Sequence, residues 1–437
     1  MSQLNLLSTL LDRARAAGAD TAEAAVSGST SLSISRRLGQ TEHLERSERR
    51  GLELTVYVGK RSASVSTTEL APSGFAALAD RAVAMAKVVP EDPYGGLADE
   101  AHTVDAAALE LADTSEPTVD ALTSRAAAAE DAARAVAGVT NSEGGEAGYG
   151  RYEFLLATSA GFSGGYARTS HSVSATALAG EGTGMQRDYD YHSAVFLADL
   201  EDAAAIGRRA GEQAVARLNP RRPATAKMAV VFGPRVAGGL IGHLSSAING
   251  SSVARGTSFL KDSLGQRIFS EGVFIHDEPR RRRGARSKPF DAEGVPTANS
   301  TLIDDGVLTT WLLDSRSARQ LGLKTNGHSN GGSPGLSNAY MAAGKLTPDE
   351  LMADVTEGLY ITELLGMGVN GLTGDYSRGA AGFMIRNGVL AEPVAEITVA
   401  GNLKDMFLHL TPANDLRFRR AVDSPTVRVD GMTVAGA

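Results

Sequence analysis

Two periodicities alternate along the chain. Near the N-terminus Leu4, Leu7, Leu10, Leu11 and Ala14 recur at helical spacing, and Gly18 is placed to cap that helix. Strand-like runs follow at 23–35, 51–58 and 63–67, with Val58-Gly59-Lys60-Arg61 as the turn between the last two. A second helix is expected over 72–88, carrying Ala76, Leu78, Ala79, Ala82 and Ala86 and stopped by Pro90. The order then repeats, with an Ala-rich helix at 118–137, strands at 151–159, 166–177 and 189–197, and a helix at 199–218. Helix, antiparallel strands, helix twice over points to an internal structural duplication.

Pro220-Arg221-Arg222-Pro223 marks the next boundary. A strand at 227–232 and a helix over 234–249, ended by Gly250, precede a long series of short strands with Gly, Pro and Asn turns. The most strongly patterned stretch runs from Leu359 to Asp405. Within it, Gly382-Phe383-Met384-Ile385 and Val389-Leu390 read as a hairpin, because Asn387-Gly388 supplies the two positive-φ residues of a tight turn. The run Val394 to Val399 reads as a buried strand, and Gly401-Asn402 hands over to a short helix at 403–408. The polar, glycine-flanked run from Thr373 to Gly379 suits a surface that meets something. The expected class is α+β: two helix–antiparallel-sheet–helix N-terminal units and a β-rich C-terminal domain. The boundaries are 1–90, a connector at 91–117, 118–222 and 223–437.

Composition narrows the function. With 437 residues, 42% hydrophobic and 22% charged, the chain reads as a soluble protein of two or three domains. A net charge of −8 argues against nucleic acid as the main partner. The 49 glycines favour a turn-rich β protein, and the lack of cysteine removes disulfides, thiolate nucleophiles and Cys metal ligands together. The first residues lack a basic n-region and a small-residue cleavage site, and no apolar run approaches the roughly 18–20 residues of a membrane helix. No membrane association and a cytoplasmic location are therefore expected.

Candidate chemistry is sparse. The histidines are isolated in sequence, and His276-Asp277-Glu278, the best ligand cluster, reads as a solvated turn before Pro279. Gly161-Phe162-Ser163-Gly164-Gly165 matches the hydrolase pattern G-x-S-x-G but sits between strands, where a hairpin turn is the better account. In Gly331-Gly332-Ser333-Pro334-Gly335, Pro334 lacks the N–H that an oxyanion hole needs. Gly366-Met367-Gly368-Val369-Asn370-Gly371 fits a dinucleotide fingerprint without the helix that must follow it. The basic run from Arg280 to Arg283 reads first as a flexible solvated loop, and otherwise as a loop docking on an acidic partner or lining a cleft. Asp375, Tyr376, Ser377 and Arg378 lack an activated nucleophile but suit a binding or interface loop. Asn402 suits either that role or a helix cap.

Several runs carry a family resemblance. TGDYSRGAAGFMIRNG (373–388) and EITVAGNLKDMF (396–407) are similar to the C-terminal signature of the TldD/TldE family, in its TldE (PmbA) branch. SFLKDSLGQRIFS (258–270), SKPFDAEGVPT (287–297), LLDSRSARQLGLKTNG (312–327), VYVGKRSASVSTTEL and PEDPYGGL extend it over nearly the whole chain. In the TldD branch a helix-borne His-Glu-x-x-x-His, with a cysteine as third ligand, holds a peptidase zinc. Counting back from Gly250, Ile241 and Ser246 occupy the histidine places and Gly242 the glutamate place; His243 is off register. The resemblance thus implies a non-catalytic subunit of a heteromeric zinc metalloprotease that acts on unfolded or modified peptides, including peptide maturation. Zinc is expected in a TldD-like partner, with no metal and no catalytic residue in this chain. Asp375, Tyr376, Ser377, Arg378 and Asn402 would contact peptide or partner. The alternative is a self-associating peptide-binding scaffold, and a homodimer is the assembly open to the isolated chain.

Overall fold

The computed structural model describes residues 3–436. Helices α1 (Gln3–Ala16) and α2 (Phe75–Ala86) flank the strands β1 (Thr21–Arg37), β2 (Gln40–Val58) and β3 (Arg61–Thr67). A second unit follows, with α3 (Val119–Arg134), β4 (Val139–Thr158), β5 (Ser163–Ala179), β6 (Gln186–Ala194) and α4 (Ala203–Ala216). The two units share one antiparallel sheet of order β3-β2-β1-β4-β5-β6, because β1 pairs with β4 from Glu23 to Arg36.

All four helices cover the same face of that sheet. Alternation sends Ala22, Ala24 and Val26 of β1 toward α1 and α2, where Leu7, Leu10 and Phe75 are buried on them. Farther along the same strand Leu32 and Ile34 meet Leu122 and Ala126 of α3. The two helices α3 and α4 cross closely. A Cβ at Gly207 would stand 1.9 Å from the Ala129 carbonyl oxygen, so only glycine fits there. The odd-numbered residues Glu23, Ala25 and Ser27 face the other way, toward the C-terminal region. There Leu156 and Phe162 pack on Phe290.

Two strands are longer than the sequence pattern predicts. β2 begins at Gln40 rather than at 51, and β4 at Val139 rather than at 151. Nearly every side chain from Gln40 to Arg50 is exposed, so no buried face imposes an alternation to read; pairing with β1 holds the segment extended.

The C-terminal region opens with β7 (Ala226–Phe232), α5 (Pro234–Ala247) and α6 (Gly250–Ala254). Gly250 begins a helix rather than only ending one, because the Asn249 side chain accepts from the Ser251 and Ser252 amides. Next come β8 (Ile275–Asp277), β9 (Ser300–Asp304), β10 (Val307–Leu308), α7 (Ser315–Leu321), β11 (Ala339–Met341) and α8 (Pro348–Met352). The chain ends with β12 (Glu357–Leu365), β13 (Asp375–Arg386), β14 (Val389–Asn402), α9 (Leu403–Leu408), β15 (Leu410–Pro412), β16 (Val422–Asp423) and β17 (Val427–Ala435).

One sheet has the order β14-β13-β12-β7-β17-β15, and a further β14–β17 pairing closes it on itself. A second, smaller one runs β10-β9-β8-β11-β16. The β13–β14 hairpin turns at Asn387 and Gly388, with φ of 50° and 81°, as the dipeptide requires. Leu240, Ile241 and Leu244 of α5 pack into the core with Phe232, Leu359 and Met384. No helix among the described residues is long and apolar enough to cross a membrane.

Candidate functional site

The N-terminus of α5 is set by Gly233 at the cap and Pro234 in the first turn. Amphipathic spacing then fixes which residues are hidden. Ile241 is fully buried, whereas Gly239 and Gly242 look into open space, with no atom near where a Cβ would lie. The Ser246 hydroxyl donates to the Gly242 carbonyl at 3.1 Å. His243, half-buried on the same helix, meets the Tyr376 ring edge-on at 5.7 Å between centroids. Burial, and then the Arg378 guanidinium, push the His243 pKa down, so the imidazole is neutral near pH 7.

The run from Asp375 to Arg378 forms the start of β13, and alternation splits it. Tyr376 is only 2% exposed, which corrects the reading of this run as a surface throughout. Its hydroxyl makes no hydrogen bond among the described residues, and burial raises its pKa to about 12. Arg378 lies close enough to temper that rise, and its own Nε has no hydrogen-bond partner among the described residues. Asp375 and Ser377 are exposed. Asp375 accepts from Thr373 Oγ1 at 2.6 Å and from Asn402 Nδ2 at 3.0 Å. Asn402 Oδ1 in turn accepts from the Lys404 amide and caps α9. Asp375 and Asn402 thus fasten a strand end to a helix start, while Tyr376 and Arg378 meet His243. The sequence named all three residues but gave no sign that they converge.

Three family models match in order: PmbA/TldA metallopeptidase domain 1 over residues 22–86, the central domain over 112–218 and the C-terminal domain over 225–436. The chain is 41% identical over 420 residues to Metalloprotease PmbA of Escherichia coli O157:H7, covering 95% of this chain and 92% of that protein. The chain belongs to the PmbA/TldD family.

A PmbA homologue of Haemophilus influenzae is 34% identical over 433 residues, covering 98% of this chain and 95% of the other. Among solved structures, one from Bacteroides thetaiotaomicron VPI-5482, named for modulation of DNA gyrase, superposes with a TM-score of 0.91 at 28% identity. That match covers 99% of this chain and 98% of the other. TldE from Thermococcus kodakarensis shares the fold at a TM-score of 0.86 and 19% identity, covering 99% and 100%.

Within this PmbA/TldD framework the donors on α5 do not fit zinc. Ile241 offers alkyl carbon facing the core, Gly242 offers no side chain, and the Ser246 hydroxyl is turned to its own helix. Among the described residues no three His, Cys, Asp or Glu side chains gather as a metal-binding set. His276-Asp277-Glu278 is not the solvated turn that the sequence suggests. Asp277 is fully buried on β8, accepts from the Ser337 amide at 3.1 Å and lies 3.4 Å from His328 Nε2.

The basic run also differs from expectation. Arg282 and Arg283 bind Glu110 at 2.6 and 2.7 Å, Arg283 reaches Asp199 at 3.0 Å, and Arg281 pairs with Glu278 and covers the Phe418 ring at 4.1 Å. The loop is pinned, and its acidic partners belong to the same chain.

Two clefts lie where the first sheet meets the C-terminal region. One, of about 880 Å³, runs from β6 and α4 to α5, β12 and the 415–424 segment. Asp188, 2% exposed, sits in its wall between Arg235 (2.5 Å) and Arg217 (3.2 Å). Burial disfavours its charge, but Arg235, the Tyr189 amide and Arg217 outweigh that and hold its pKa below the usual carboxylate range. Arg209 and Arg419 bridge Asp190 and Glu201 beside it. The other cleft, of about 630 Å³, lies on the uncovered face of the first sheet.

Proposed function

We propose that this chain is a peptide-holding subunit with no hydrolytic centre of its own, working with a TldD-type partner that supplies zinc and the water-activating base. The observation that carries this reading is the identity of three residues on α5: Ile241, Gly242 and Ser246 can neither ligate a metal nor take a proton from water. Membership of a metallopeptidase family makes peptides the substrate class, and the unfolded or modified ones are those whose backbone is free to be held extended. Leu365, Met367 and Leu372, respectively 56%, 91% and 62% exposed, crowd the loop beside Ser377, and their apolar surface suits cover by a partner. Asp375, Ser377 and Asn402 lie at the rim of that surface, where peptide or partner would contact them.

The test is hydrolysis of an unfolded peptide by the purified chain with added zinc, alone and after mixing with a TldD-type protein carrying His-Glu-x-x-x-His. No cleavage alone and cleavage on mixing are expected. Cleavage by the single chain, abolished by a chelator, would refute the reading. Peptide binding without any partner-dependent cleavage would favour a scaffold instead.

A further inference from the structure

The cleft on the helix-free face of the first sheet holds two guanidinium groups that the fold itself does not use, beside a lysine without a charged partner in contact. Its floor is a ladder across neighbouring strands: Glu53 of β2 opposes Ala25 of β1, Ser27 opposes Phe154 of β4, and Tyr152 opposes Arg168 of β5. Its roof is the segment carrying Arg286, Lys288 and Asn330. Among the described residues the side chains of Arg168 and Arg286 have no hydrogen bond or ion pair, although Arg281, Arg282 and Arg283 a few residues away are all paired. Lys288, 8% exposed, spends two donors on the Ser329 carbonyl (3.2 Å) and Asn330 Oδ1 (2.7 Å), neither of them charged.

The nearby acids do not neutralise this group by contact. Burial lowers the Lys288 pKa, Asp291 and Asp277 oppose that, and Arg168 and Arg286 add to it. Asp291 already accepts from the amides of Glu293, Val295 and Ser329, and Asp277 from that of Ser337. Three cations therefore crowd one end of a partly enclosed cleft, a costly arrangement that an anion would relieve. At the opposite end stands Glu53, exposed and without an ion pair among the described residues. In the order β2-β1-β4-β5, Glu53 and Arg168 lie three strand spacings apart, roughly 14 Å. They are also four residues apart along the strands, because Glu53 aligns with Leu156 and Arg168 with Tyr152; the two are roughly 19 Å apart. An extended peptide rises about 3.3 Å per residue, so about six residues running diagonally over the sheet fit between the poles. Tyr152, Phe154 and Tyr166 give the floor an aromatic surface for their side chains.

We propose that this cleft binds a carboxylate of a bound peptide, with Arg168, Arg286 and Lys288 taking the charge and the chain running across the sheet toward Glu53. The proposal rests on the peptide-holding reading above, and adds which chemical group of the peptide is recognised. A C-terminal carboxylate and an acidic side chain present the same chemistry.

Fluorescence anisotropy on the full chain separates the sources with three labelled, unstructured hexapeptides. One ends in a free carboxylate, one is its C-terminal amide, and one is an amide with glutamate in the last position. The free acid is expected to bind at least about tenfold tighter than the plain amide, since a charge-assisted contact is typically that strong. If the glutamate amide matches the free acid, either carboxylate source is read; if it matches the plain amide, the site reads the terminus alone. Arg286→Gln and Arg168→Gln should each erase most of the tenfold preference and leave amide binding unchanged. Arg286 is exposed, so its variant tests the idea even if changes at buried Lys288 unfold the chain. Equal binding of all three peptides, or a preference that survives both variants, overturns the carboxylate site while leaving peptide holding intact. No binding of any peptide overturns both.

Discussion

In the cleft between β6 and α5, four arginines meet four carboxylates; in the cleft over the uncovered sheet face, Arg168 and Arg286 meet none among the described residues. The residue types are alike, and both clefts join the same sheet to the same C-terminal region. In the first seam Arg209, Arg217, Arg235 and Arg419 each already have a carboxylate counterpart within the chain, and buried Asp423 is held by the Arg419 and Arg420 amides. The second leaves Arg168 and Arg286 unpaired among the described residues, with Glu53 at its far end and Asp291 and Asp277 tied to backbone amides. Charge matched inside a fold holds elements together, and charge left unmatched is available to something else.

The largest effect should come from breaking the matched seam. Asp188→Ala leaves Arg235 without its buried counter-charge and Arg217 with Glu363 alone, and a loss of about 3–5 kcal/mol is expected in urea denaturation. A loss below about 1 kcal/mol would mean the network does not bind the two regions. Because Asp188 titrates below its ordinary range when folded, its contribution is present above pH of about 4 and disappears on acidification.

The unmatched seam responds to pH in the opposite sense. Glu23, half-buried and facing Glu53, has its pKa raised to about 7 by desolvation and then by Glu53, and Glu293, half-buried beside Asp291, is raised likewise to about 7. A carboxyl raised on folding favours the fold while protonated, so the contribution of these two groups is greatest below about pH 4.5 and declines as pH rises toward 7. Glu23→Gln should therefore raise the melting temperature at pH 8, by up to about 3 kcal/mol in stability, and change little at pH 5. A variant equally stabilised at both pH values would show that the carboxyl is not strained by ionisation.

A matched pair of truncations compares the seams directly. Arg419→Ala removes contacts to Glu201 and Asp190 and should cost about 2 kcal/mol, whereas Arg286→Ala should stay within about 0.5 kcal/mol. Similar losses in parallel denaturation curves would erase the distinction. The smallest change is expected at the α5 face. Tyr376→Phe removes a buried hydroxyl that bonds to nothing among the described residues, so stability should hold or rise slightly. A loss above about 1.5 kcal/mol would reveal a hydrogen bond at that oxygen.

Local features of the fold were legible wherever burial stamps a period on the chain. Leu7, Leu10 and Leu11 announce α1, and Asn387-Gly388 announces the β13–β14 turn, because each depends on neighbours in sequence. The polar half of β2 escaped because its side chains stay in water on both faces, and the strand exists through pairing with β1. Tyr376 misled as a surface residue because the start of a strand beside glycines gives no hint of a helix packed over it. The arginine run misled because its partners Glu110 and Asp199 lie far away in sequence.

By itself the sequence determined the class of the chain and the want of metal donors at positions 241, 242 and 246, since a side chain that is absent cannot be supplied by folding. Only the tertiary structure decided which charges meet. Coulomb and hydrogen-bond contacts act over a few ångströms of space, and the chain brings residues like Arg235 and Asp188 to that range without leaving a trace in their spacing.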